Sequence, residues 1–148
     1  MAPLITLLSG SVVAGVAGLL GVGYLQGWAA PIAVGLAAMF TVTGIAHFAP
    51  PLRHDLVAIV PPRLPAPALL VSITGVLELA GAVGLLLPAT RASAAWCLLV
   101  LMLAMFPANV YASRMPQPPK SMTTRLPSRT GTEIVFLAAA VAVAVGNG

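Results

Sequence analysis

Charge is what this 148-residue chain has least of. Only 7% of its residues are Asp, Glu, Lys or Arg, where a soluble domain carries about 25%. So few charges cannot cover a water-facing surface, so lipid must be the solvent for most of it. Cysteine occurs once, at Cys97, inside an apolar run. That excludes an intrachain disulfide, a dithiol redox motif, a zinc site built on several thiolates and covalent c-type haem. Cys97 reads as a small apolar packing residue. The sequence also lacks a nucleophile–base pair, a phosphate-binding glycine loop and a metal-ligand cluster. No metal is expected, and a soluble-type enzyme is the least favoured class. The net charge of +4 invites a nucleic-acid reading, which a mean hydropathy of +1.04 argues against. The cations read instead as loop residues that set membrane orientation.

What the chain does have is apolar runs, and about 20 residues cross a hydrocarbon core. The sequence predicts an all-α, polytopic transmembrane helix bundle in one domain, with five spans near residues 4–25, 29–49, 67–88, 92–112 and 130–145. The first run lacks the preceding basic residues of a signal peptide, so it is expected to be retained. Its Gly10, Ala14 and Gly18 recur every four positions and suit close packing on a neighbour. About three residues would join it to the second run, as a tight hairpin. Pro50 and Pro51 stop the second helix. Residues 52–60 could form a short amphipathic helix on the membrane surface, with Leu52, Leu56, Ile59 and Val60 toward lipid. Pro107 lies inside the fourth run, where it removes a backbone hydrogen bond.

The connections at 50–67 and 113–129 hold Arg53, Arg63, Arg114, Lys120, Arg125 and Arg129, while the other side holds only Arg91. This asymmetry predicts a cytoplasmic N-terminus and an exterior C-terminus.

Four polar residues stand out: His47, Glu78, Asn109 and Glu133. A carboxylate at the centre of a spanning helix costs about 2.5–3.5 kcal/mol, so Glu78 calls for a partner, a water-filled cavity or a ligand. Its neighbours at helical spacing, Thr74, Gly75, Gly81 and Ala82, are small and allow close approach. Glu78 lies roughly 16 Å along its helix, and the other three fall on the cytoplasmic side. By depth alone, the four could line one pocket with Glu78 at its floor. Each also has a structural reading. Glu78 could bind a neighbouring helix, and His47 could cap its own. Asn109 could repair the hydrogen bonding at Pro107, and Glu133 could pair with Arg129.

Several blocks look familiar: Phe40-Thr-Val-Thr-Gly-Ile-Ala-His47-Phe48, Val60-Pro-Pro-Arg-Leu-Pro65 and Ile73-Thr-Gly-Val-Leu-Glu78-Leu-Ala-Gly81. Leu86-Leu-Pro88, Arg91 and Phe106-Pro-Ala-Asn109 follow in the same order. Over roughly residues 36–145 the chain resembles the DoxX family of small bacterial membrane proteins. That resemblance implies a four-helix membrane bundle, here with an extra N-terminal helix, in a bacterial inner membrane. It also implies a loose link to quinone redox chemistry, with other membrane redox proteins or a second copy as partners. It carries no catalytic residues to transfer.

Three functional readings follow from this. The first is a quinone- or lipid-binding accessory subunit that holds a quinone or isoprenoid lipid beside His47, Glu78 and Asn109. The second is a small proton-coupled transporter built around Glu78. The third is a non-catalytic membrane anchor.

Overall fold

A computed structural model describes residues 2–123 and 125–146. They form six helices: α1 (Ala2–Leu19), α2 (Ala29–Ala46), α3 (Leu52–Ala58), α4 (Pro67–Leu86), α5 (Arg91–Arg114) and α6 (Leu126–Val145). Among the described residues there is no strand, and five helices, all but α3, are long and apolar enough to cross a membrane.

α2, α4, α5 and α6 close into a ring. α2 packs on α4 and α6, and α5 packs on the same two from the other side. α1 lies outside the ring against α2. α2 is therefore the central helix, and half of its apolar window is buried, against 28% or less in the others. Leu36, Leu85, Leu98 and Val143 meet in the core. Around them the buried positions are mostly alanines, among them Ala33, Ala37, Ala82, Ala95 and Ala140. Lipid tails are as apolar as leucine, so burial alone does not drive these helices together. Small residues do, by letting backbones approach and gain dispersion contacts. The contact between α1 and α2 shows this. A Cβ on Gly10 would lie 3.0 Å from the Gly35 Cα.

The first helix is shorter than its apolar run suggests. It stops at Leu19 because Gly21 takes φ +102°. Val22 N–H then donates to Ala17 O at 3.1 Å and Gly21 N–H to Gly18 O at 3.1 Å, the paired bonds of a Schellman cap. A 3₁₀ turn at Gly23–Leu25 follows, so the link to α2 is longer than the tight hairpin expected. At the other boundaries, Pro67 opens α4 at a position where a missing N–H costs nothing. α5 runs through Pro107.

Two expectations change with the fold. Arg91, read as a loop cation, is buried at 6% exposure. Its Nε donates to Leu85 O at 3.0 Å, and its guanidinium stacks 5.1 Å over the Tyr24 ring. Thr90 Oγ1 donates to Gly84 O at 2.9 Å, and the Tyr24 hydroxyl donates to Leu86 O. Together they satisfy the open carbonyls at the end of α4, where a cation also suits the helix dipole. α3 also differs. Ile59 is buried, and Leu56, Ile59 and Val60 face a cavity in the protein where lipid contact was expected.

Candidate functional site

The cation-rich end of the bundle, where α2 stops, carries the site. One residue beyond α2, His47 is 3% exposed. Its position depends on Gly75 of α4. A Cβ there would lie 2.5 Å from the His47 Cβ and 2.8 Å from the Phe48 ring, so only glycine lets the end of α2 come this close. Arg53 of α3 fixes the same corner. Its Nη1 donates to His47 O at 2.8 Å, and its Nη2 donates to Ala68 O at 3.1 Å and Ser72 Oγ at 3.0 Å. A charged donor thus meets the terminal carbonyl of α2 and ties α3 to α4.

The His47 ring has one nitrogen committed. Nδ1 lies 2.8 Å from Thr43 O, and a carbonyl only accepts, so Nδ1 carries the hydrogen. Glu78 Oε2 is 3.8 Å from the same nitrogen, beyond hydrogen-bond range. Burial pushes the imidazole below its ordinary value of 6.5; the Thr43 carbonyl opposes this and the Arg53 charge adds to it. Neutral His47 with its hydrogen on Nδ1 presents a bare lone pair at Nε2.

His47 is on the wall of a cavity of about 280 Å³. α4 contributes Leu70, Val71 and Thr74, and α5 contributes Ala104, Met105, Pro107, Ala108 and Asn109. Leu56, Ile59 and Val60 cover it, with Met122 from the α5–α6 connection. Asp55 holds this cover to that connection, since its Oδ2 accepts from Ser121 Oγ at 2.6 Å and from Ser121 N–H at 3.2 Å. Asn109 faces His47's cavity with its orientation set from behind: Arg129 Nη1 donates to its Oδ1 at 3.0 Å. The amide nitrogen Nδ2 is left as a donor. Pro107 in the same wall has no N–H, so it makes no bond back to the Leu103 carbonyl one turn earlier.

The four sequence candidates therefore separate. His47 and Asn109 share the cavity, with Thr74 and Pro107 beside them. Glu78 is not at its floor. It is 4% exposed and turned into the α2–α4 interface, where Thr43 Oγ1 donates to its Oε2 at 2.6 Å. Its direction around α4 sends the carboxyl to Thr43. Glu133 is in α6 with its Oε1 buried and without a hydrogen-bond partner. Arg129, expected beside Glu133, reaches Asn109. Gly81 lies against Leu98, away from the cavity. Among the described residues, no group of three His, Cys, Asp or Glu side chains is placed to hold a metal ion.

Thr43, Arg53 and Met122 were not singled out from sequence. Thr43 had a readable signal, since it precedes His47 by four residues on one helix face. Arg53 and Met122 had none. Arg53 is on a helix of only 7 residues whose polar face gives no partner. Met122 lies in the connection between α5 and α6, where no helical spacing links it to the cavity.

A family model described as Domain of unknown function (DUF8561) matches residues 36–145. The chain belongs to that family. The DUF8561 match takes in most of α2 and all of α3–α6, and so every residue of the cavity. It overturns the resemblance to DoxX, whose supporting blocks fall inside the same residues. Those blocks are mainly glycines at close helix contacts (Gly44, Gly75, Gly81) and prolines at helix ends or, for Pro107, inside a helix. Unrelated membrane bundles need both for the same reasons of packing. The redox theme that came with DoxX has no other support. No curated protein and no solved structure matches the chain.

Proposed function

We propose that this is an integral protein of a bacterial inner membrane that binds a lipid or isoprenoid-tailed ligand in the cavity beneath α3. The observation that carries the reading is the cavity itself: an apolar lining with three polar residues, His47 from the end of α2, Thr74 from α4 and Asn109 from α5. Ligand sites have this composition. Its volume suits a head group and the start of a chain, with the remainder of the chain in the bilayer.

The test is to fill the space. Protein purified gently from membranes should carry a co-extracting lipid or quinone by mass spectrometry, and Ala108→Trp should lose it while staying folded. Equal retention by Ala108→Trp would refute a ligand in this cavity.

The same reading places the cavity on the cytoplasmic side, because six of the seven cations belong to that end of the bundle. A phosphatase fused after Gly148 should then be active. Fluorescence from a cytoplasmic reporter at that position would invert the topology.

Glu78 favours a second reading, proton-coupled transport. A carboxyl at mid-membrane, bonded to Thr43 and 3.8 Å from His47, is a plausible coupling group. It requires a pH-dependent flux in liposomes that Glu78→Gln abolishes.

A further inference from the structure

The unused hydrogen-bonding capacity of the cavity wall is specific enough to name the ligand's head group. Three polar side chains reach the cavity, and each has part of its capacity already spent. His47 Nδ1 is held by Thr43 O at 2.8 Å, which leaves Nε2. Thr74 Oγ1 donates its hydrogen back into its own helix, with Leu70 O at 3.0 Å and Val71 O at 3.1 Å, which leaves only lone pairs. Asn109 Oδ1 is taken by Arg129 at 3.0 Å, which leaves the two hydrogens of Nδ2. The wall therefore offers acceptors at His47 and Thr74 and a donor at Asn109. None of the lining residues is Asp, Glu, Lys or Arg. The neighbouring guanidiniums are engaged from outside the lining, Arg53 with His47 O, Ala68 O and Ser72 Oγ and Arg129 with Asn109 Oδ1 and Met122 Sδ. An ionised head would therefore enter without a counter-charge in direct contact, at a large desolvation cost.

We propose that the cavity selects an uncharged head group bearing a hydroxyl, which donates to His47 Nε2 and accepts from Asn109 Nδ2. This rests on the cavity being a ligand site. Isoprenoid alcohols, glycerides and the reduced, hydroxyl-bearing form of a quinone meet the description. An oxidised quinone has acceptors only and leaves Nε2 unpaired. Phosphate, carboxylate and ammonium heads are refused for want of a counter-charge. The burial of His47 acts in the same direction, because a neutral imidazole keeps Nε2 as an acceptor.

The experiment uses four probes with one tail: geranylgeraniol, its methyl ether, geranylgeranyl phosphate and geranylgeranylamine. Each is titrated into the full chain in lipid nanodiscs, with occupancy read by native mass spectrometry. The alcohol should bind about tenfold tighter than the ether, since the ether leaves a buried acceptor unpaired. Phosphate and amine should bind more weakly than either. In His47→Phe the alcohol and the ether should converge. The comparison of probes on the unaltered chain stands whether or not that variant folds. Equal affinity for alcohol and ether, or preference for phosphate or amine, would overturn the head-group assignment and leave the cavity as a lipid site. Failure of all four probes to bind would overturn the assignment and the binding reading together.

Discussion

Gly75→Ala is the smallest change that tests whether α4 sets the position of His47. The added methyl would lie 2.5 Å from His47 Cβ, 2.8 Å from Phe48 Cε2 and 3.0 Å from His47 Cγ. Carbon atoms settle about 3.5–4.0 Å apart, so the first overlap is about an ångström. A Cβ is fixed to the backbone and cannot rotate away, so the end of α2 must retreat. Overpacking of this kind costs about 1–3 kcal/mol, and replacing a helical glycine by alanine returns about 0.5–1 kcal/mol. The net expectation is a loss of up to about 2.5 kcal/mol. The retreat also disturbs the 2.8 Å contact between His47 Nδ1 and Thr43 O, so ligand affinity should fall with stability. Gly81→Ala is the control. Its methyl would meet Leu98 Cδ2 at 2.5 Å and Cγ at 2.6 Å, which also overpacks the bundle but away from the cavity. Denaturant unfolding in detergent and ligand titration, run on both variants, separate the two effects. Gly81→Ala should lose stability and keep affinity, while Gly75→Ala should lose both. A Gly75→Ala protein as stable as the parent and with unchanged affinity would refute the account of how His47 is placed.

Three further outcomes are expected. Gly131→Ala in α6 should stabilise by about 0.5–1 kcal/mol, because a Cβ there meets nothing within 4 Å; destabilisation on denaturant titration would mean that something packs on that face. Ligand affinity should be level at pH 6.5 and above and fall only at the lower pH where buried His47 takes a proton, because that proton removes the Nε2 acceptor. The unfolded imidazole takes a proton near 6.5 and the folded one only at lower pH, so fold stability should also decline as pH drops through this window. Affinity that rises on acidification would contradict the sign. Glu78→Gln keeps an acceptor for Thr43, so unfolding should shift by no more than about 0.6 kcal/mol, the average for hydrogen bonds between membrane helices; a loss of several kcal/mol would show that the carboxyl itself holds α2 to α4.

The helices were legible because apolar length is a strong signal and proline and glycine mark most of their ends. The exception is instructive. The apolar run through Leu25 hid the stop at Gly21, although a glycine at that place is the usual residue of a left-handed cap. α3 was legible as a short amphipathic helix, but amphipathicity gives only the existence of an apolar face. It does not say whether that face covers lipid or protein, and Leu56, Ile59 and Val60 cover a cavity. Arg91 shows the same limit for charge. Its number places it at a membrane boundary, and only the fold shows that the carbonyls ending α4 receive it.

For the site, sequence supplied depth and withheld direction. His47, Asn109 and Glu133 were assigned to one end of the bundle, with Glu78 beneath, by counting residues along helices. Whether side chains meet depends on rotation about each helix axis, and here that rotation follows from small residues at the contacts. Gly44 and Gly75 bring α2 and α4 together, which turns Thr43 toward Glu78 and leaves His47 at the edge. The cost of keeping a carboxyl in the membrane is then offset inside the protein, by a threonine hydroxyl 2.6 Å away, and no ligand is needed to explain it. The cavity has its own polar residues, His47, Thr74 and Asn109. It meets Glu78 at Thr43, whose carbonyl accepts from His47 Nδ1 and whose hydroxyl donates to the carboxyl. Gln keeps an acceptor for Thr43, so Glu78→Gln should leave the proposed binding at His47 and Asn109 intact even where it abolishes flux.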